Sequence, residues 1–348
     1  MIRRYIKNPI LKPSDIIIEN DELDVFGVFN PGATRFNNKI ILLLRVALKC
    51  KEEKNWIKVL LCDRTSDYNL KIVRWRKRKS LSVNNSDPRF IIINEKKFLT
   101  SLSLLYLAQS DDGINFSVTQ SPVISPANEY ETFGIEDPRI IKIDGTYYIT
   151  YTSVSENSFC TALAKTDNFK TFRRVGIIFP PENKDVVLFP KKIGNKYFCL
   201  HRPTVAFIGK PSVWISQSNN LIDWGNHHLL FAPLNNKWES NKVGAGPEPI
   251  LTDRGWLVLY HSVNDEGVYS LNAILLDEKN PRKIIGRTRK PILSPEYWYE
   301  KEGVIPNVVF SNGWIRMDED KLLIYYGSAD KYISVAECKI SSLTNQIK

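Results

Sequence analysis

The sequence predicts an all-β protein, and three observations support this prediction. Few stretches of the 348 residues repeat apolar side chains at a helical period, whereas short runs rich in β-branched and aromatic residues recur along the chain. Asn, Asp and Gly separate these runs, for example at Asp144-Gly145 and Gly194-Asn195, as in turns between antiparallel strands. No long linker or low-complexity segment interrupts the pattern. Residues 1–348 are therefore predicted to form one domain, with residues 1–26 as an N-terminal extension that packs on it.

The predicted strands follow one another from residue 40 to residue 337. Each combines β-branched, aromatic or leucine residues, which suit a pleated and half-buried surface. They cover residues 40–46, 56–62, 99–108, 146–152, 197–201, 213–216, 256–261, 269–276, 321–326 and 333–337.

A larger unit also repeats. An apolar strand, a turn and an aromatic-rich strand occur at residues 138–152, 186–202, 249–261 and 307–327. The ends of these units lie roughly 50 to 65 residues apart, a period typical of propeller blades of about four strands. With one further unit over residues 30–116, the repeat predicts a five-bladed β-propeller whose inner strands converge on a central active-site pocket. A β-sandwich is the alternative, but it does not require this repeat.

Charge and composition restrict the partners. The chain carries 48 Lys and Arg against 38 Asp and Glu, a net charge of +10. The basic residues are scattered apart from a run at residues 74–79, which is typical of a solvated turn or edge, so no nucleic-acid partner is predicted. An anionic substrate accounts equally well for a positive surface.

The cysteines and the N-terminus predict a cytoplasmic protein without a metal site. The five cysteines are widely spaced and none has metal-ligand spacing, so we expect reduced thiols. The N-terminus has no apolar signal segment, and no run approaches the length of a membrane span, so no membrane partner is expected. The sequence leaves open whether the chain forms a homo-oligomer.

Two adjacent carboxylates, Glu136 and Asp137, precede Pro138 and an alternating apolar run. Proline has no N–H for a strand ladder, so we expect Pro138 at the start or edge of a strand. Glu136 and Asp137 would then lie on the loop that enters this strand, where scaffolds commonly present catalytic groups. A surface acidic turn is the alternative interpretation.

Four further clusters contain Lys184, Arg202, Lys242 with His261, and Asp330. Each lies at the same end of its predicted blade, so together they would surround one pocket with cations and carboxylates. Arginine offers a planar fork and lysine a point charge, and both suit phosphate oxygens. Each residue taken alone is more typical of a solvated or structural position. Their shared placement predicts an anion-binding pocket.

The motifs also carry a family resemblance. In order along the chain, residues 30–33 (Asn-Pro-Gly-Ala), 134–140, 183–190, 201–203, 242–247 and 306–310 together resemble glycoside hydrolase family 130. Members are five-bladed β-propellers, mostly inverting phosphorylases of β-mannosides. The resemblance covers about residues 27–338. It implies cleavage of a manno-oligosaccharide or mannosyl-glucose with inorganic phosphate as co-substrate, without another cofactor, to give α-mannose 1-phosphate.

The resemblance also implies roles for individual residues. Asp137 matches the general acid, whose proton is expected to reach the glycosidic oxygen through a hydroxyl of the bound mannose. The expected phosphate-binding residues are Arg202, Lys242, His261 and Lys184. Leu104 and Tyr106 stand where many members have a histidine and an arginine. The expected substrate-binding residues are Asp330, Arg45, Glu136, Tyr106, Glu248 and Glu302.

Two other functions remain compatible with the sequence. A β-mannosidase of the same family would use Glu248 or Glu302 to activate water, and a non-catalytic carbohydrate-binding propeller would use no acid. An inverting displacement needs an acid on one face of the sugar and a nucleophile on the other. Phosphate is already anionic, so it needs cations rather than a second carboxylate. Arg202, Lys242 and His261 therefore favour phosphorolysis.

Overall fold

The structure is a computed structural model that describes residues 2–205 and 207–348. It confirms the all-β prediction, with 54% of the residues in strands and 5% in helices. The helices are α1 (Trp298–Lys301) and α2 (Ile340–Gln346), and 3-10 turns occur at Pro13–Asp15 and Arg64–Ser66.

The strands are numbered along the chain. They are β1 (Arg3–Arg4), β2 (Leu23–Phe36), β3 (Lys39–Cys50), β4 (Trp56–Asp63), β5 (Asn69–Arg76), β6 (Val83–Asn84), β7 (Phe90–Ile93), β8 (Lys96–Leu99), β9 (Leu102–Ser110), β10 (Ser117–Val118), β11 (Gly134–Ile143), β12 (Thr146–Ser155), β13 (Ser158–Thr166), β14 (Arg173–Phe179), β15 (Asn183–Leu188), β16 (Tyr197–Pro203), β17 (Val213–Ser218), β18 (Trp224–Phe231), β19 (Lys242–Ala245), β20 (Ile250–Thr252), β21 (Gly255–Val263), β22 (Tyr269–Leu276), β23 (Ile284–Arg287), β24 (Val309–Arg316), β25 (Lys321–Ser328) and β26 (Tyr332–Lys339).

Most of these strands belong to five antiparallel groups. Group 1 is β2, β3, β9 and β10; group 2 is β11 to β14; group 3 is β15 to β18; group 4 is β19 to β23, with β20 on β21; and group 5 is β24 to β26 with β1. Parallel pairs of Gly32 with Asn312 and of Gly134 with Ser103 connect groups 5, 1 and 2 into one 12-stranded sheet. The predicted strands lie in these groups, except that the run at 56–62 forms β4 and the run at 99–108 is divided between β8 and β9.

Five apolar clusters fill the spaces between consecutive groups. Leu43 of group 1 packs in one cluster with Ile140 of group 2, and further clusters join groups 2 and 3, 3 and 4, and 4 and 5. The fifth cluster contains Leu44 of group 1 and Tyr325 of group 5, so the last group packs against the first. Burial of this apolar surface is the main stabilising contribution to the fold.

Three groups share a triad in which a buried Glu contacts a buried Tyr and a more exposed Arg. In each triad the glutamate precedes the first strand, the tyrosine lies on the second strand and the arginine on the outermost one. The triads are Glu131, Tyr151 and Arg174; Glu239, Tyr260 and Arg287; and Glu300, Tyr326 and Arg4. A buried carboxylate needs such partners because desolvation without them is unfavourable. In group 5 the N-terminal strand β1 supplies the arginine, so residues near both ends of the chain complete one group.

The first strands of four groups contain a β-bulge at corresponding places. The pairing register shifts between Glu136 and Arg139 in β11, and similar shifts occur in β2, β15 and β24. Asn30, Asp137 and Asp185 lie at three of these bulges with φ of 49°, 51° and 56°. A bulge changes the direction of side chains, and here it places polar side chains at one site.

The prediction that Pro138 lies at the start or edge of its strand was wrong. Pro138 lies inside β11 rather than at its start, so Glu136 and Asp137 belong to the strand and not to a preceding loop. The reason is that the shifted register between Glu136 and Arg139 leaves no ladder partner for Pro138, so its missing N–H is tolerated.

Residues 51–101 form an inserted segment between β3 and β9. It contains the hairpin β4–β5 and the three-stranded sheet β6–β8, with a small core around Val59, Ile93 and Phe98. The basic run at residues 74–79 lies at the end of β5 and in the turn after it, and its charged side chains are exposed, as predicted.

Candidate active site

A pocket of about 610 Å³ opens at the bulged ends of the first strands. Eight of the eleven predicted site residues line it: Arg45, Glu136, Asp137, Lys184, Arg202, Lys242, His261 and Asp330. They come from all five groups, so residues far apart in sequence meet in one cavity.

Asp137 is held at one side of the pocket by two donors. Its Oδ1 accepts hydrogen bonds of 2.9 Å from Asn30 Nδ2 and from Arg45 Nη1. Arg45 also binds Glu136 at 2.7 Å and Ser103 Oγ at 2.9 Å. This network fixes the carboxylate of Asp137 in the cavity wall, where only 4% of the residue is exposed.

The two aspartates of this part of the pocket differ in their pKa values. Burial alone would raise the pKa of Asp137, but the charges of Arg45 and Lys184 and the hydrogen bonds of Asn30 and Arg45 lower it. Burial raises the pKa of Asp330 to about 6, and the charge of Asp137 contributes in the same direction. Without substrate, Asp137 is a carboxylate, and Asp330 is the carboxyl group that binds a proton closer to neutral pH.

Asp185 organises the opposite side of the pocket. Its Oδ2 accepts a 2.6 Å hydrogen bond from Arg202 Nε, and its Oδ1 accepts one of 3.1 Å from Arg139 Nη2. Burial alone would raise the pKa of Asp185, but the charges of Arg202 and Arg139 hold it well below its usual range. Asp185 uses only the Nε edge of Arg202, so the other N–H groups of this guanidinium are available to a ligand.

Arg139 connects this side to the neighbouring group. Besides Asp185, it donates 3.0 Å hydrogen bonds to the carbonyl oxygens of Ala245 and Gly246. Because Arg139 is 3% exposed and fully engaged by protein acceptors, it positions Asp185 rather than facing the cavity.

Gly244 allows Asp185 and His261 to approach each other. A Cβ at this position would overlap the His261 ring and lie 2.5 Å from Asp185 Oδ2. Only glycine fits here without displacing one of these side chains.

Lys242 is a cation with few protein partners. Its Nζ lies 4.8 Å from the centroid of the Tyr269 ring, and no acceptor within the described ranges takes a hydrogen bond from it. Burial lowers the pKa of Lys242 to about 8, with the Arg202 charge acting in the same direction. Near neutral pH, Lys242 is thus mainly protonated and free to bind an anion.

His261 is neutral rather than cationic. It is 1% exposed, and burial lowers its pKa to about 3. Its Nε2 lies 3.6 Å from Asp185 Oδ2, its Nδ1 has no partner within residues 2–205 and 207–348, and its ring packs against Phe310. His261 can therefore contribute a hydrogen bond to a ligand, but not a charge.

Three predicted substrate-binding residues lie outside the residues that line this pocket. The Tyr106 side chain packs in the apolar cluster between groups 1 and 5, and so does that of Leu104, because alternate residues of β9 face this core. Glu302 is exposed after α1. Burial raises the pKa of Glu248 well above its usual value, and its Oε2 lacks a partner in the described part of the chain. Neither glutamate is placed to activate water in the pocket.

Sequence reasoning missed several residues of the site. Asn30, Asp185 and Tyr269 line the pocket, and Arg139 supports it. The first two lie in motifs that the sequence shows, Asn-Pro-Gly-Ala and Asn-Lys-Asp, whose role depends on bulges that the sequence does not reveal. Arg89 also lines the pocket, but it belongs to the inserted segment, where no motif marks it.

The structure bears on three other predictions. All five cysteines are free thiols. Among the described residues, no cluster of His, Cys, Asp or Glu has the arrangement of a metal site. Within the same residues, no helix has the length and apolar character needed to cross a membrane.

Comparison with known proteins identifies the family. A sequence model of Glyco_hydro_130, described as β-1,4-mannooligosaccharide phosphorylase, matches residues 100–348. The chain is 38% identical to a β-1,2-mannobiose phosphorylase of Listeria innocua over 351 residues, which cover 100% of this chain and 98% of that protein. It is 44% identical to a 1,2-β-oligomannan phosphorylase of Thermoanaerobacter sp. over 243 residues, which cover 69% of this chain and 80% of the other.

The fold agrees with this comparison. A solved structure of the Listeria innocua β-1,2-mannobiose phosphorylase in complex with β-1,2-mannobiose matches with a TM-score of 0.94 at 38% identity, covering 99% of each chain. The motifs of the pocket, the sequence match and the fold agree, and the chain belongs to glycoside hydrolase family 130.

Proposed function

We propose that this protein is an inverting β-mannoside phosphorylase that cleaves β-1,2-linked mannobiose or short β-1,2-oligomannans with inorganic phosphate. The observation that carries the proposal is one pocket with Asp137 on one side and Arg202 and Lys242 on the other. The β-1,2 linkage is supported by the names of the two relatives that are 38% and 44% identical to this chain.

In the proposed reaction, phosphate attacks the anomeric carbon of the mannosyl unit from the face opposite the leaving sugar. The glycosidic C–O bond breaks, and the proton of Asp137 goes to the departing oxygen, directly or through a hydroxyl of the bound mannose. The products are α-mannose 1-phosphate and the shortened sugar. Phosphate is the co-substrate, and the proposal requires no other cofactor.

Asp137 must be protonated for this role, although it is a carboxylate in the free protein. Bound sugar displaces water and phosphate adds negative charge, and both changes raise the pKa of a nearby carboxyl group. Asp330, with a pKa of about 6, is the second carboxyl group in the same cavity and is proposed to contact the mannosyl unit. Glu136 and Arg45 would hold Asp137 in position for the transfer.

Phosphate is proposed to bind between Arg202, Lys242 and Lys184, with His261 as a neutral hydrogen-bonding partner. Asp185 holds Arg202 through Nε and leaves its remaining donors for phosphate oxygens. Lys184 lines the same cavity, and its Nζ lies 5.4 Å from the centroid of the Phe159 ring.

The proposed scaffold is a single five-bladed β-propeller over residues 1–348, with residues 1–26 packed on it. Five strand groups, apolar clusters between consecutive groups and contact of group 5 with group 1 support a closed ring. The triad of Arg4, Glu300 and Tyr326 supports closure by the N-terminal strand.

Hydrolysis is the alternative reaction. It would require a carboxylate that activates water opposite Asp137, and the candidates Glu248 and Glu302 lie outside the residues lining the pocket. A carbohydrate-binding protein without activity would not need Asp137 opposite an anion site. Phosphorolysis is therefore the function that the site supports best.

The test is to incubate the protein with β-1,2- and β-1,4-mannobiose, each with and without phosphate. We expect cleavage of the β-1,2 compound only with phosphate, with α-mannose 1-phosphate as the new product. Release of free mannose at a rate independent of phosphate would instead identify a hydrolase. Preference for the β-1,4 compound would reject the proposed linkage.

A further inference from the structure

The inserted segment forms part of the pocket wall, although it lies outside the five strand groups. Residues 88–90 and 97–101 line the cavity. The segment is fixed to group 2, because Cys62 N donates a 3.0 Å hydrogen bond to the carbonyl of Thr132 and Lys96 binds Glu156 at 3.1 Å. The rings of Phe98 and Phe133 pack with centroids 6.3 Å apart. A segment anchored in this way can present a side chain to the pocket in a defined position.

Arg89 is the arginine on this part of the pocket wall, and hydrogen bonds from Thr100 hold the loop that carries it. Thr100 Oγ1 donates a 2.6 Å hydrogen bond to the carbonyl of Pro88, and Thr100 N donates one of 3.1 Å to the carbonyl of Arg89. The guanidinium donates from Nε and Nη2 to the two oxygens of Asp87, at 2.9 Å and 2.6 Å. Asp87 thereby orients one edge of the guanidinium, and Nη1 has no acceptor among the residues described.

The charge of Arg89 acts on the side of the pocket that contains Arg202 and Lys242. It contributes to lowering the pKa of Lys242, and it opposes the rise in pKa that burial causes at Tyr269. The charge of Asp330 in turn acts on Arg89. Arg202 also lowers the pKa of Lys242, so Arg89 and Arg202 influence the same ammonium group. Such a convergence of like charges is unfavourable in the empty pocket and becomes favourable when an anion enters.

Exposure distinguishes the two arginines. The Arg89 side chain is 64% exposed, whereas that of Arg202 is 6% exposed. Arg202 therefore belongs to the buried floor of the pocket and Arg89 to its open side. An anion between them would have donors from both directions.

We propose that Arg89 binds the phosphate used in phosphorolysis, which makes the inserted segment part of the phosphate site. The inference rests on the proposed function and adds a phosphate-binding residue to it. Asp87 is then a positioning residue, since it acts only through Arg89.

The test compares Arg89→Gln with the wild type in phosphorolysis of β-1,2-mannobiose. We expect the KM for phosphate to rise about tenfold, as for loss of a charge-assisted hydrogen bond, while the KM for mannobiose changes less than twofold. In the reverse reaction, the KM for α-mannose 1-phosphate should rise and that for the acceptor mannose should not. Arg78→Gln is the matched control, because Arg78 is exposed in the same segment away from the pocket, and it should leave all constants unchanged.

Two further variants test the arrangement. Arg89→Lys retains a charge without the planar fork, so its KM for phosphate should lie between those of the wild type and Arg89→Gln. If Arg89→Gln folds poorly, the KM of Arg89→Lys still tests the role of Arg89. Asp87→Asn should raise the KM for phosphate by a smaller factor. Combined with Arg89→Gln, it should add little, because both changes act on one contact.

Different results would refute the role of Arg89 and the proposed function. An unchanged KM for phosphate in Arg89→Gln, or a rise confined to the KM for mannobiose, overturns the role of Arg89 while leaving phosphorolysis intact. Absence of phosphate-dependent cleavage in the wild type instead refutes the proposed function itself.

Discussion

Asp185 Oδ2 and Arg202 Nε are 2.6 Å apart in the wall of the pocket. Asp185 also binds Arg139, which reaches the carbonyl groups of Ala245 and Gly246, so this contact connects groups 2, 3 and 4. The carboxylate of Asp185 thus balances two buried guanidinium groups and determines which donors of Arg202 face the cavity.

The first prediction concerns this contact. Asp185→Asn removes the charge but nearly retains the shape, so Arg202 and Arg139 lose their common counter-charge. We expect the KM for phosphate to rise about tenfold and the free energy of unfolding to fall by about 3 kcal/mol, as for a broken buried ion pair. Steady-state kinetics and urea unfolding measure the two effects. Unchanged kinetics and stability would show that Asp185 does not position Arg202.

The second prediction concerns the proton donor. Asp137→Asn keeps an oxygen for Asn30 and Arg45 but cannot donate an acidic proton. We expect kcat for mannobiose phosphorolysis to fall by about 10²–10⁴-fold, with circular dichroism like that of the wild type. Asp330→Asn is the comparison within the same pocket. If Asp330→Asn lost more activity than Asp137→Asn, the acid would have to be reassigned to Asp330.

The third prediction is a pH dependence that follows from Lys242. Its pKa is lowered to about 8, so the cation is lost as the pH rises through 8. We expect kcat/KM for phosphate to decrease above about pH 8, and Lys242→Ala to raise the KM for phosphate more than that for mannobiose. Lys242→Arg keeps its charge at higher pH, so its profile should stay flat there. A wild-type profile that is flat to pH 10 would contradict this role.

The fourth prediction separates phosphorolysis from hydrolysis. Glu248 and Glu302 lie outside the residues lining the pocket, so Glu302→Gln and Glu248→Gln should each retain wild-type phosphorolysis within about twofold. The rates of α-mannose 1-phosphate and free mannose formation are measured together. Loss of turnover in either variant would place that glutamate in the mechanism and favour hydrolysis.

The fifth prediction concerns closure by the N-terminal strand. Arg4→Ala removes the arginine partner of Glu300, which is fully buried, and should lower the free energy of unfolding by about 3 kcal/mol. Arg3→Ala is the control on the same strand. Its ion pair with Glu337 is exposed, so a change below about 1 kcal/mol is expected. Equal effects of the two variants in urea unfolding would argue against a special role for the triad.

Much of this protein can be recognised in its sequence. The alternation of β-branched and aromatic residues with turns determined the strands, because strand formation depends on local pattern and turn chemistry. The motifs around Asp137, Arg202 and Lys242 indicated the family, and eight of the predicted site residues line one pocket.

Other features were decided only by the tertiary structure. Tyr106 was expected at the sugar, but its position on β9 directs it into the core between groups 1 and 5. His261 was expected to bear a charge, but complete burial keeps it neutral. Both outcomes depend on packing and desolvation by distant segments, which no local pattern specifies.

The bulges and the inserted segment are also features of the site that only the tertiary structure decided. The sequence by itself shows the motifs that contain Asn30, Asp137 and Asp185, but it does not show the bulges within β2, β11 and β15. Left-handed backbone at these shifted pairing positions directs the three side chains into one cavity. Arg89 reaches that cavity because a segment of about 50 residues folds on its own small core and docks on group 2. Burial, register and long-range contacts are properties of the whole chain, and they decide which of its polar residues become a site.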